Sequence, residues 1–201
     1  MKQALRQSII ALRAQLPAQE RARLSRAITD GIRRLPDYQA AGTVLGYLNF
    51  GAELAVKDWV QQALDDGKRV LLPRVNRASK HLDLYQVRDL RQDVAPGLWG
   101  IREPLPERCA REESPGEVDF ILLPGVAFAR DGARLGYGGG FYDRLLQHMP
   151  GRPALVAGAF ALQVVEEIPQ EPTDRRVGWL VTEHETIRCA APDGRGGQQD
   201  F

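Results

Sequence analysis

The chain has 201 residues, 43% of them apolar, with 27 lysines and arginines set against 26 aspartates and glutamates. That length and apolar share fit one domain with a real core, and they exclude fibrous, collagenous and wholly disordered classes. The near-neutral charge argues against a bulk nucleic-acid binder, and no apolar run approaches the roughly 20 residues needed to span a bilayer.

Taken in chain order, residues 2–15 place Leu5, Ile9, Leu12 and Leu16 at helical spacing. Pro17 interrupts the run and sits well in the first turn of a second helix over 18–34, with Leu24, Ile28, Ile32 and Leu35 on one face. Within residues 1–40, eight basic side chains (Lys2, Arg6, Arg13, Arg21, Arg23, Arg26, Arg33, Arg34) oppose three acids (Glu20, Asp30, Asp37). Most of these charges read as a solvated helical face. Residues 43–48 form a buried strand, and 55–65 a helix ended by Gly67. A strand over 69–72 stops at Pro73, and 82–87 alternates as an exposed or edge strand.

Residues 88–118 are rich in proline, glycine and charge and predict a long irregular excursion. Residues 119–123 are the clearest buried strand, closed by Pro124 and Gly125. A glycine-dense loop over 136–140 leads into a helix over 141–149, and 154–159 and 178–182 supply two more strands. The tail after residue 190 is polar and glycine-rich and predicts disorder, so residues 1–190 read as one domain.

Strands separated by helices predict a three-layer α/β/α sandwich with a mainly parallel sheet covered on both faces. Ligands then bind beyond the carboxyl ends of the strands, in the loops after Leu48, Leu72, Leu123 and Ala159. Cys109 and Cys189 make no secreted disulfide framework and match no zinc spacing, and the start MKQALRQSII lacks a signal-peptide core. A soluble cytoplasmic monomer is the expectation. His81, His148 and His184 are scattered without ligand spacing.

The densest chemical signal is residues 128–146, FARDGARLGYGGGFYDRLL. Gly136, Gly138, Gly139 and Gly140 let successive backbone N–H groups converge on an anion, and the helix start behind them adds its own donors. Arg134 is placed to close over the same phosphate, and Asp143 to bind a Mg²⁺ riding on it. The string is neither a P-loop nor a dinucleotide fingerprint, because Phe141 stands at the last glycine position.

PGVAF at 124–128 followed by RLGYGGGFYDR at 134–144 closely resembles the signature of the 5-formyltetrahydrofolate cyclo-ligase (methenyltetrahydrofolate synthetase) family. Lys2 and Arg6 match that family's N-terminal K-x-x-x-R, Leu48 and Glu53 its strand-then-Glu segment, Trp99 in LWGIREP its W-x-I-x-x-P, and Asp174 a late aspartate before the last strand. The resemblance spans residues 2 to about 183 and implies a fold similar to sugar-phosphate isomerase and CoA-transferase-like folds.

It also implies an activity. ATP and Mg²⁺ would drive cyclisation of 5-formyltetrahydrofolate to 5,10-methenyltetrahydrofolate through an N5-iminium phosphate, releasing ADP and phosphate. Lys2, Arg6, Arg134, Leu135, Gly136, Tyr137, Gly138, Gly139, Gly140, Phe141 and Tyr142 would then hold the nucleotide, with Arg134 catalytic. Leu48, Glu53, Trp99 and Tyr137 would meet the folate, and Asp143 and Asp174 the metal. No nucleic acid or membrane is implied. Where the family usually has Asp the chain has Ala129, so Arg130 or Asp131 must fix the adjacent turn. Tyr137 and Gly139 bring no charge where some members carry basic residues, which throws weight on Lys2, Arg6, Arg134 and the metal. Two rival readings are a ligand-sensing regulatory module without ATP turnover and a ligase for another N-formyl compound.

Overall fold

Burial on both faces is what makes the short central segments strands. The computed structural model describes residues 1–113, 115–171 and 174–189, so the tail lies outside the described residues. The first half of the chain forms α1 (Lys2–Ala14), α2 (Ala18–Arg33), α3 (Pro36–Ala40), β1 (Thr43–Leu45), α4 (Lys57–Asp65), β2 (Arg69–Asn76) and β3 (His81–Val87). Next come β4 (Val94–Pro96), β5 (Arg102–Pro104), β6 (Ala110–Arg111), β7 (Phe120–Leu122), β8 (Ala127–Ala129) and β9 (Arg134–Leu135). The last elements are α5 (Phe141–His148), β10 (Ala154–Gly158), β11 (Val164–Val165), β12 (Trp179–Val181) and β13 (Thr186–Arg188).

The main sheet runs β13-β12-β10-β7-β1-β2-β3-β6. Neighbours from β12 to β2 are parallel, and β13, β3 and β6 add antiparallel edges. Alternate residues feed two cores. Val44, Val70, Leu72, Phe120, Leu122, Val156 and Val181 point to the side of α2, α3 and α4. Leu45, Leu71, Ile121, Leu123, Ala157 and Leu180 point to the side of α5. A mixed α/β fold around a large, mostly parallel sheet therefore stands as read from the sequence. On the first side α2 lies so close to β10 that a Cβ on Gly158 would meet Leu54, Ile28 and Ile32 at 2.6–3.0 Å.

Several sequence expectations need correction. β2 does not stop at Pro73 but continues to Asn76. Leu71 turns its carbonyl to β1, accepting from the Gly46 N–H, so Pro73 two residues on faces the same side. β1 has ended there, and the missing proline N–H costs no ladder bond. The segment 88–118 is not wholly irregular: β4 and β5 form an antiparallel hairpin, Val94 opposite Pro104. Arg74 of β2 ties that hairpin down by donating to the Pro104 carbonyl at 2.7 Å.

The face of α1 is also rotated from the expected one. Leu12, expected in the apolar stripe, is 45% exposed, whereas Arg13 is 4% exposed. Leu5 and Ile9 pack with Val126, Ala127 and Leu135 around the small β11-β8-β9 sheet, and that contact carries Lys2, Arg6 and Arg13 inward with them. The turn at Ala129 is fixed by Asp131, which accepts from the Ala133 N–H at 2.9 Å and pairs with Arg176.

Candidate active site

Because the parallel strands end together, the loops leaving β1, β2 and β7 open on one cavity of about 880 Å³. Tyr47, Leu48, Phe50 and Glu53 enter it after β1, Pro73 from β2 and Pro124 after β7. Lys2 and Arg6 reach it from α1, and Arg134 through Asp143 form a further wall. The segment that follows Ala159, the fourth expected contributor, reaches this wall through its far end, Glu171 and Asp174.

The glycine loop takes the shape its composition allows. Gly138 (φ +100°) and Gly140 (φ +64°) adopt left-handed conformations, and Gly140 caps α5. The first-turn N–H groups of α5 therefore open toward the loop with no side-chain cap in the way. Arg6 braces the loop from α1, its Nε donating to the Gly136 carbonyl at 2.7 Å. Arg144, which the sequence reading passed over, braces the other end by donating to the Gly139 carbonyl at 2.8 Å and the Lys80 carbonyl at 2.9 Å.

Arg134, 8% exposed, donates to Asp143 Oδ1 at 2.5 Å and to the Pro124 carbonyl at 3.2 Å. Its Nε is buried without a partner among the described residues. Lys2 Nζ reaches Glu171 Oε1 at 2.9 Å and Asp174 Oδ2 at 3.3 Å, and the hydrogen bond to Glu171 raises its pKa above the ordinary lysine value. Asp174 also accepts from the Glu171 N–H at 2.9 Å. The basic start of the chain and the acidic segment near residue 170 thus meet at Lys2. Each candidate metal carboxylate is held by a cation.

Around Glu53, 8% exposed, the chemistry is different. Its Oε2 accepts from the Phe50 N–H at 2.7 Å, and the phenols of Tyr47, Tyr137 and Tyr142 stand near it. Burial first, and the Glu53 charge second, push the Tyr137 pKa up to about 12 and raise those of Tyr47 and Tyr142 well above the ordinary phenol value. All three stay protonated donors near neutral pH.

Every site residue named from the sequence lines this one cavity except Trp99, whose side chain lies outside the described residues. Tyr47, Phe50, Glu103, Arg144 and Glu171 join them unannounced. Glu171 had one signal, its place three residues before Asp174 in an acidic run; Glu103 and Arg144 lie inside the LWGIREP and RLGYGGGFYDR strings, while Tyr47 and Phe50 flank Leu48 without a distinctive spacing of their own.

The residues present fit a phosphate chain with its Mg²⁺. A positive-φ glycine cradle, a buried guanidinium with an unsatisfied Nε and a second arginine over the loop converge on one wall. Among the described residues no three His, Cys, Asp or Glu side chains could hold a metal ion by themselves. Two separate carboxylates suit Mg²⁺, which takes one or two protein oxygens and completes its shell with phosphate and water.

Comparison with known proteins identifies the family. The sequence profile of the 5-formyltetrahydrofolate cyclo-ligase family matches residues 1–183. The probable 5-formyltetrahydrofolate cyclo-ligase of Caenorhabditis elegans is 31% identical over 93% of this chain and 95% of its own. The 5-formyltetrahydrofolate cyclo-ligase of Mycolicibacterium smegmatis is 36% identical over 70% of this chain and 73% of its own. The solved 5,10-methenyltetrahydrofolate synthetase of Aquifex aeolicus superposes with a TM-score of 0.82 at 34% identity, covering 98% of this chain and 96% of that one. The chain belongs to the 5-formyltetrahydrofolate cyclo-ligase family.

Proposed function

We propose that the cavity brings Mg-ATP along the glycine loop to 5-formyltetrahydrofolate lying against Glu53, and cyclises it to 5,10-methenyltetrahydrofolate with release of ADP and phosphate. The observation that carries this reading is that one continuous cavity is walled by the phosphate-type loop with Lys2, Arg6 and Arg134 and also by Leu48, Pro73 and Glu53. Two ligands in such a space are close enough for direct transfer between them.

The reaction joins N10 to a formyl carbon whose oxygen is a poor leaving group. Transfer of the γ-phosphoryl group to that oxygen makes the N5-iminium phosphate; N10 then adds to the carbon, loses its proton, and phosphate departs with the formyl oxygen. Phosphoryl transfer asks the protein for position and charge compensation more than for bond-making groups. Arg134 meets both needs, since Asp143 and the Pro124 carbonyl aim it and its Nε is still to be satisfied. Lys2 and Arg6 lie one helical turn apart on α1 and would take the remaining phosphate oxygens.

Asp143 and Asp174 would hold Mg²⁺, which when bound spreads the negative charge of the phosphates. Both carboxylates are ion-paired: Lys2 would pass from Asp174 to phosphate as ligand enters, while Arg134 would keep Asp143 Oδ1 and leave the other carboxylate oxygen to the metal. Glu53 and the protonated phenols beside it offer an acceptor and several donors to the folate. Trp99 would stack on the pterin from the β4–β5 hairpin.

We further read residues 1–190 as one cytoplasmic, monomeric domain acting on small molecules, without nucleic acid or membrane. Supporting this, the apolar face of α2 is spent on the sheet, with Leu24, Ile28 and Ile32 buried. No helix among the described residues is long and apolar enough to cross a membrane. Cys109 and Cys189 are free, buried thiols whose pKa burial raises, which suits a reducing compartment.

An absorbance assay tests the reading. 5-Formyltetrahydrofolate with ATP and Mg²⁺ should give methenyltetrahydrofolate, and omitting either ATP or the metal should abolish it. A folded protein that yields no product with both present would overturn the assignment.

A further inference from the structure

Arg13 is almost fully buried, yet among the described residues its guanidinium makes a single hydrogen bond, from Nη2 to the Tyr137 hydroxyl at 2.6 Å. Its Nε is buried without a partner, and among the described residues no carboxylate lies within ion-pair distance of it. The proposed phosphoryl transfer does not use it. A guanidinium buried at Nε and held by one phenol carries a desolvation cost that an apolar chain of similar length filling the same space would not.

The partner shows what the arginine does. Tyr137 sits inside the glycine loop and is 49% exposed as a residue, so packing alone does not fix it. Two groups act on its hydroxyl: Arg13, reaching across from α1, and the Glu53 carboxylate from the loop after β1. The guanidinium also lies 5.9 Å from the ring centroid, close to the ring as well as to its oxygen. One hydrogen bond therefore ties α1 to the nucleotide-side loop, at a hydroxyl that shares the cavity and the electrostatic field of the carboxylate on the folate side.

We propose that Arg13 is a positioning residue for the cyclisation: it holds the Tyr137 hydroxyl beside Glu53, so that the glycine loop and the folate-facing carboxylate are set as one unit. This rests on the placement of the two substrates argued above. Two consequences follow from the geometry. Removing Arg13 lowers activity without lowering stability, because the arginine is a burden on the fold. Removing Arg13 or the Tyr137 hydroxyl breaks the same link, so the two losses do not multiply.

The test measures kcat/KM for 5-formyltetrahydrofolate at saturating Mg-ATP, with thermal melting, for the wild type, Arg13→Met, Tyr137→Phe and the double variant. Each single variant should lose on the order of tenfold in kcat/KM. The double variant should fall within about twofold of the worse single, and Arg13→Met should melt no lower than the wild type. Losses that multiply, a single variant as active as the wild type, or an Arg13→Met protein whose activity loss merely tracks lost stability would each overturn the proposal. An Arg13→Met protein that fails to fold would contradict the predicted stability, and Tyr137→Phe, altered at a half-exposed residue, then tests the link by itself: wild-type kcat/KM there refutes it. A wild type that forms no product would instead refute the substrate assignment, so the two failures are distinguishable.

Discussion

The two N-terminal helices carry similar basic loads and put them to opposite use. On α1, Lys2, Arg6 and Arg13 all turn inward, to Glu171 and Asp174, to the Gly136 carbonyl and to the Tyr137 hydroxyl. On α2, Arg23 pairs with Glu20 one turn away at the surface and Arg33 with Asp66, while Leu24, Ile28 and Ile32 take the buried face. One helix spends its inner face on charge beside a cavity; the other spends it on the core. Composition cannot separate them, because a cation becomes functional only through what the fold sets opposite it.

The largest effect should come from the cation that both loop and helix converge on. Arg134→Gln should lower kcat/KM on the order of a hundredfold to a thousandfold, the scale of losing a transition-state charge partner, with most of the loss in kcat. Unchanged kcat/KM would remove Arg134 from the chemistry. On the α2 side, Ile28→Ala should destabilise by about 2–5 kcal/mol in denaturant melts while the folded enzyme keeps its specific activity. A large loss of kcat with little loss of stability would erase the contrast between the helices.

Smaller effects sharpen it. Arg6→Gln leaves the Gly136 carbonyl without its brace and should raise the KM for ATP on the order of tenfold, read from initial rates. Arg23→Gln removes a surface pair and should leave both kcat/KM and the melting temperature unchanged. If Arg23→Gln behaved like Arg6→Gln, the inward and outward assignments would be wrong.

Much of this was legible in the sequence, for identifiable reasons. The parallel sheet follows from apolar strands alternating with helices, and the cradle from four glycines ahead of a helix start. Both are local patterns written in consecutive residues. Pro73 misled because its tolerance depends on β1 ending opposite it, a fact about a strand more than twenty residues away. Arg13 misled because helical spacing fits two neighbouring faces of α1, and only the groups at Tyr137 and Gly136 choose between them. Glu103 and Arg144 lie within recognisable strings, but their place in the cavity depends on the β4–β5 hairpin folding over β2 and on the Lys80 turn meeting the glycine loop, contacts between segments distant in sequence.

The central claim is that ATP and the folate meet in this one cavity, with phosphoryl transfer onto the formyl oxygen. Heavy-oxygen labelling tests it most directly. With the formyl oxygen of 5-formyltetrahydrofolate labelled, a single turnover with Mg-ATP should deliver the label into the released phosphate, one atom per methenyltetrahydrofolate formed. Label appearing in water while the phosphate stays unlabelled would contradict the account.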